Sequence, residues 1–112
     1  MTAPVPILAN ATVNPEAHIY FGGQCVSHSL VMSDGHRKSV GVILSPVALE
    51  FNTSETETME CVAGACEFRL AGSLGWMRSG PGELFSVPAH SQFQIRVAEG
   101  AQAYHYICHF AF

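Results

Sequence analysis

From Tyr20 onward the chain alternates apolar and polar residues with a period of two. Val26, His28, Leu30 and Met32 alternate with Ser27, Ser29 and Val31; Val40, Val42 and Leu44 share one face, and Val47, Leu49 and Phe51 the next. Cys66, Phe68 and Leu70 alternate with Glu67 and Arg69, and Phe93, Ile95 and Val97 alternate with Gln92, Gln94 and Arg96. Tyr104, Tyr106, Cys108 and Phe110 close the chain. This period predicts strands with one face buried and the other wet. No stretch sustains a helical repeat over about ten residues. Turn chemistry separates the runs: Asp34-Gly35 suits a hairpin, and Gly64, Ala71–Gly75, Ser79-Gly80-Pro81-Gly82 and Glu99-Gly100 supply further breaks. Roughly eight to ten short strands with frequent turns predict an all-β sandwich or barrel. Residues 1–17 carry Pro4, Pro6 and Pro15 and little periodicity, so they read as an N-terminal arm; residues 18–112 read as one barrel domain. A barrel of this size encloses a pocket that side chains fill or one small ligand occupies.

Composition narrows the picture. At 112 residues, 48% of them apolar, the chain suits one globular domain. So short a chain buries only about two-thirds of its unfolded surface, which motivates a homodimer. Five Lys or Arg against nine Asp or Glu give a net charge of −4, which opposes a broad nucleic-acid footprint. A small anion needs only one or two well-placed cations. No apolar run reaches the ~18 residues of a membrane span. The segment Met1–Ala9 lacks the basic start and apolar stretch of a signal peptide, so a cytoplasmic location is expected. Cys25, Cys61, Cys66 and Cys108 lie within apolar or alternating runs and read as buried reduced thiols rather than a disulfide framework.

Six histidines invite a metal reading. His105 and His109 share a face of the last strand, but four extended residues set them about 13 Å apart, too far to hold one ion unaided. Thr53-Ser-Glu55-Thr-Glu57-Thr-Met59-Glu-Cys-Val-Ala-Gly64 resembles the first cupin motif, with Glu57 and Gly64 in place. Gly82-Glu-Leu-Phe-Ser-Val-Pro88-Ala-His-Ser resembles the second. Where a metal cupin carries histidines, this chain has Glu50, Phe51, Asn52 and Thr53, then Phe93, and His90 alone does not restore a three-histidine site. Tyr20-Phe-Gly-Gly, Arg37-Lys-Ser-Val-Gly-Val42, Phe51-Asn-Thr53, Glu57-Thr-Met59 and Phe85–Phe93 together resemble the pyrimidine/purine nucleoside phosphorylase family of short cupin-like proteins. That resemblance runs from about Tyr20 to Phe110. It implies a single-domain, cupin-type jelly-roll β-barrel. It further implies a homodimeric cytosolic enzyme that needs no metal or other cofactor, takes inorganic phosphate as co-substrate, and cleaves purine and pyrimidine nucleosides to free base and ribose 1-phosphate.

Phosphorolysis passes through an oxocarbenium-like state, so a site must stabilise positive charge on the sugar, align phosphate and assist the leaving base. Arg37, where the family pattern carries a basic residue, is the first candidate for holding phosphate, with Lys38 and Ser39 adding donors. The plainer reading makes Arg37 and Lys38 solvated charges beside the hairpin turn. Glu57 shares an extended face with Phe51, Thr53, Glu55 and Met59; a carboxylate inside a barrel is paired or functional, and Glu57 is read as catalytic, binding ribose or balancing charge. His90 is the candidate acid toward the leaving base, with Ser91 beside it and Thr53 as a further substrate contact, although a loop histidine is more often simply exposed. Tyr104, Tyr106 and Phe93 read as core, and Trp76 and Ser27-His28-Ser29 carry no readable signal. The leading reading is thus a phosphorylase acting on nucleosides and phosphate. The alternatives are a non-catalytic cupin that binds nucleosides or sugar phosphates, and a metal cupin oxygenase or isomerase, which the missing histidines oppose.

Overall fold

The computed structural model describes residues 6–111. Residues 1–5 of the expected N-terminal arm, and Phe112, lie outside the described residues. Eleven strands follow one another: β1 (Ala11–Val13), β2 (His18–Tyr20), β3 (Cys25–Met32), β4 (Arg37–Ile43), β5 (Val47–Asn52), β6 (Glu57–Ala63), β7 (Cys66–Leu70), β8 (Met77–Ser79), β9 (Leu84–Val87), β10 (Gln92–Val97) and β11 (Tyr104–Phe110). A single 3-10 turn, Phe21–Gly23, joins β2 to β3. The fold is all-β, as the period of two predicts.

The strands form two sheets. One has the order β1-β3-β4-β11-β6-β9, with β2 also paired to β3; the other has the order β5-β10-β7-β8. Among the described residues both sheets end in strands paired on one side, so the hydrogen-bonded ladder does not close into a continuous barrel. The inner faces pack on each other through Ile43, Met59, Cys61, Phe85, Val87, Tyr104 and Tyr106 from the larger sheet and Leu49, Cys66, Phe68, Phe93, Ile95 and Val97 from the smaller. Phe68 and Phe85 stack across the gap with ring centroids 3.8 Å apart and planes within 7°. The expected inward faces of β5, β7, β10 and β11 are the ones observed.

In β3 and β4 the faces are inverted relative to the sequence reading. Cys25 and Ser27 of β3, and Ser39 and Ile43 of β4, are the buried inner residues, while Val40 and Val42 lie on the outer face. The outer face is itself partly covered: Leu30 and Ile107 are buried there. A depression lined by Pro6, Leu8, Val13, Leu30, Val40 and Ile107 marks the covered region, and β1, from the segment expected to be an arm, pairs with Leu30–Met32 of β3. With apolar residues wanted on both faces, alternation alone does not tell which face meets the other sheet.

Two glycines are required by close approach. A Cβ on Gly41 would fall 2.6 Å from the Tyr106 ring and hydroxyl. Gly64, in the β6–β7 turn at φ +73°, would place a Cβ 2.1 Å from the Ala103 carbonyl oxygen. Here the obstacle is backbone, which has little freedom to move. We expect Gly64→Ala to destabilise the fold by more than about 2 kcal/mol in urea unfolding, from left-handed strain and overpacking together; an unchanged midpoint would show that the turn relaxes.

Candidate functional site

At the β3–β4 end the small inner side chains leave the two sheets unfilled. A cavity of about 360 Å³ opens there, lined among others by Ser27, Ser39, Glu57, Tyr106 and Cys108 on the larger sheet and Phe51 and Phe93 on the smaller. That volume is within the ~300–1,000 Å³ of small-molecule sites. The cavity has an aromatic wall and a polar floor. On the wall, Phe51 stacks on Phe93 at 5.3 Å, and Phe21 meets Phe51 edge-on at 5.5 Å. Phe21 is 46% exposed at the mouth and holds a left-handed backbone, φ +53°, a costly conformation for a bulky side chain. Gly22 and Gly23 continue at positive φ, which only glycine adopts readily.

The floor carries two hydrogen-bonded pairs. Cys108 Sγ donates to Glu57 Oε1 at 3.4 Å, and the Ser39 hydroxyl beside the thiol opposes the rise in its pKa that burial causes. The Tyr106 hydroxyl lies 3.6 Å from Cys25 Sγ, and Ser27 beside it opposes the rise in the phenol's pKa that burial causes. Tyr106 reaches this position because Gly41 has no side chain beneath its ring. Burial pushes the Glu57 carboxyl above the usual range; the Cys108 hydrogen bond opposes that shift and the nearby Glu55 charge adds to it. Burial likewise raises the thiols, Cys66 to about 12, and all four cysteines are buried and unbridged, as expected.

Of the expected site residues, Glu57 and Ser39 meet in the cavity. Arg37 is not among the residues lining the cavity; its guanidinium lies 5.7 Å over the ring of Phe110, which is, and donates from both terminal nitrogens to the Glu55 carboxylate. That hydrogen bond holds Glu55 below the usual carboxylate range. Lys38, one position along β4, points to the opposite face. Its Nζ is 2.6 Å from His109 Nδ1, and His109 Nε2 is 2.9 Å from Glu60 Oε1. Strand alternation puts Lys38 outside as surely as it puts Ser39 inside.

Thr53, His90 and Ser91 are brought together in a separate shallow depression beside Asn52. The Thr53 hydroxyl donates to the Pro88 carbonyl at 2.7 Å and accepts from the Ser91 N–H at 2.9 Å, so it ties two loops together. His90 is exposed at φ +55° and is not among the residues lining the cavity. Ser27, Phe21 and Cys108 line the cavity and are not site candidates on sequence alone, although Phe21 lies in one of the family blocks. For Phe21 a signal existed, a bulky aromatic directly before two glycines.

No histidine lines the cavity, and among the described residues no three His, Cys, Asp or Glu side chains stand together as a metal site. Glu57 with a protonated thiol is a poor donor set for a transition metal. No helix among the described residues is long and apolar enough to cross a membrane.

A two-sheet all-β domain with one end hollowed into an aromatic-walled, carboxylate-floored cavity is the architecture of a small-ligand-binding protein or enzyme. The family model for pyrimidine/purine nucleoside phosphorylase matches residues 15–110, and the chain belongs to that family. A relative named pyrimidine/purine nucleoside phosphorylase from Polaromonas sp. (strain JS666) is 61% identical over 101 residues, covering 90% of this chain and 93% of that protein. One of the same name from Ralstonia nicotianae is 59% identical, covering 86% and 88%. Among solved structures, a protein of unknown function from Acinetobacter sp. ADP1 superposes with a TM-score of 0.85 at 36% identity, covering 92% of this chain and 96% of its own.

The raised Glu57 carboxyl has a definite sign in the linkage between pH and stability. Its folded state favours the protonated form, so its contribution is fully present below the unfolded glutamate value and is lost as pH rises through the folded one. Glu57→Gln removes that loss. In thermal melts between pH 4 and 8, the midpoint of the variant minus that of the unaltered protein rises with pH; a difference that is flat or falls contradicts the assignment.

Proposed function

We propose that the protein is a phosphorolytic pentosyltransferase: it cleaves purine and pyrimidine nucleosides with inorganic phosphate, in the cavity between the sheets, without a metal or other cofactor. The observation that carries this reading is the pairing of an aromatic wall with the Glu57 floor and the Arg37 guanidinium at its edge, in a chain of this family. We take the two sheets as a cupin-type jelly roll, with β11 bridging β4 and β6 and β10 bridging β5 and β7. The same reading makes the enzyme a cytoplasmic homodimer.

The chemistry follows from the layout. Rings at the mouth stack the base, and Ser27, Ser39 and the Tyr106 hydroxyl present polar groups to ribose hydroxyls. As the N-glycosidic bond breaks, its electron pair leaves with the base, and the sugar acquires oxocarbenium character. The Glu57 carboxylate, partly withdrawn from water, opposes that charge more strongly than an exposed one would. Phosphate attacks the anomeric carbon, held by Arg37, whose five N–H donors exceed those its bond to Glu55 uses. Ribose 1-phosphate results, and the departing base takes up the proton that the attacking hydrogenphosphate gives up as its oxygen bonds the anomeric carbon.

Free base released from uridine or adenosine must depend on phosphate; a binding protein releases none, and a hydrolase is indifferent to phosphate. We expect Arg37→Ala to raise the phosphate KM by at least about tenfold, the scale of one lost charge-assisted hydrogen bond, with a smaller effect on the nucleoside KM. Unchanged phosphate saturation would remove Arg37 from the site. Glu57→Gln lowers kcat, and in the unaltered enzyme the acidic limb of kcat/KM lies above the ordinary glutamate range, following the raised carboxyl.

A further inference from the structure

The cavity mouth is bordered by a strand edge that has no partner among the described residues. β5 ends its sheet, paired only with β10 among the described residues. Antiparallel alternation decides where its main-chain groups point. Thr53 N–H bonds Ser91 C=O in the register that pairs Asn52 with Gln92 and Phe51 with Phe93, so the odd-numbered residues of β5 turn their amides toward β10. Ala71 N–H bonds Gln92 C=O on the opposite side of β10, which fixes the same alternation independently. Glu50 and Asn52 therefore turn their N–H and C=O groups away from β10, along the free edge.

Both residues line the cavity, yet the Glu50 side chain belongs to the outer face of its sheet, beside Arg69 and Gln94. An edge strand seen edge-on accounts for both placements: these residues give the cavity their main chain. No hydrogen bond among the described residues occupies those groups. Phe51, between them, points its ring inward toward Phe93, and Phe21 closes the mouth from the β2 side.

An extended residue offers an N–H and a C=O side by side. Each nucleobase offers a matching pair on its Watson–Crick edge: O4 and N3–H in uracil, N3 and the 4-amino group in cytosine, N1 and the 6-amino group in adenine, O6 and N1–H in guanine and hypoxanthine. We propose that the free edge of β5 recognises the nucleobase through the main-chain N–H and C=O of Glu50 and Asn52. This rests on the nucleoside reading of the cavity and extends it to base recognition. Because the strand edge reads a donor–acceptor pair common to all these bases, purines and pyrimidines are accepted by one site without a side chain chosen for any of them. Stacking on Phe21 or Phe51 tolerates every base for the same reason.

The test is calorimetric titration of the full-length protein with uridine, N3-methyluridine and 5-methyluridine, and with inosine and N1-methylinosine. Methylation at N3 or N1 removes the donor and blocks the edge. We expect it to weaken binding by at least about tenfold, while the C5 methyl, which lies off that edge, has a much smaller effect. Glu50→Pro deletes one outward N–H and leaves the ladder to β10 intact. In that variant, with its fold checked by thermal melting, uridine binding falls and N3-methylation costs less than in the unaltered protein. Equal affinity for uridine and N3-methyluridine overturns the inference, and is also the result if a strand of a second copy covers this edge. Binding is read here rather than turnover, so a protein that binds bases this way without releasing them would sink only the phosphorolysis. Failure to bind uridine at all would sink both.

Discussion

Sheets packed face to face stand about 10 Å apart, and side chains from the two inner faces must fill that gap or leave it to a ligand. In this molecule the gap is filled at one end and empty at the other. Phe68 stacked on Phe85, with Phe93, Ile95, Val97 and Tyr104 around them, sets the separation. The same separation is imposed on the β3–β4 end, where Ser27 and Ser39 are too small to meet the opposite sheet. The cavity is thus a consequence of a core packed on one side only. The rigid aromatic stack keeps the hollow end from collapsing onto its polar floor.

That floor explains why the buried polar groups are tolerated. An unpaired carboxylate or hydroxyl in such a place is costly. Here the Cys108 thiol donates to Glu57 and the Tyr106 hydroxyl pairs with Cys25 Sγ, with Ser39 and Ser27 alongside. Thiols serve as partners because they pack as small hydrophobes and still donate weakly. Glu57 keeps an elevated proton affinity, and with it the capacity to respond to charge developing on a ligand. Arg37 and Glu55 neutralise one another at the edge of this floor, so the cation faces solvent and the cavity without a net positive field.

The strands whose apolar face is also their inner face were legible from the sequence: β5, β7, β10 and β11 alternate as the structure does. β3 and β4 were not, since their inner face lines a cavity and carries Ser, Cys and Gly, while Val40 and Val42 serve the outer face. The block Arg37-Lys38-Ser39 was read as one cluster of donors, although a strand sends Lys38 to the far side, where it meets His109. Glu57 and Ser39 were found because a carboxylate in an apolar alternation and a family motif pointed the same way. Thr53, His90 and Ser91 also lie in blocks that resemble the family, yet they gather in a neighbouring depression, where Thr53 clamps two loops. The main-chain edge of β5 has no sequence signature at all, for it is created by which strand has no neighbour.

The central claim is that the hollow end between the sheets holds a ribosyl group and phosphate together. A crystal structure with ribose 1-phosphate bound tests it most directly. The account predicts the sugar on the floor formed by Ser27, Ser39, Glu57 and Tyr106, with the phosphate within reach of Arg37. Ligand bound instead in the depression around His90 and Ser91, with the cavity between the sheets closed by side chains, would contradict it.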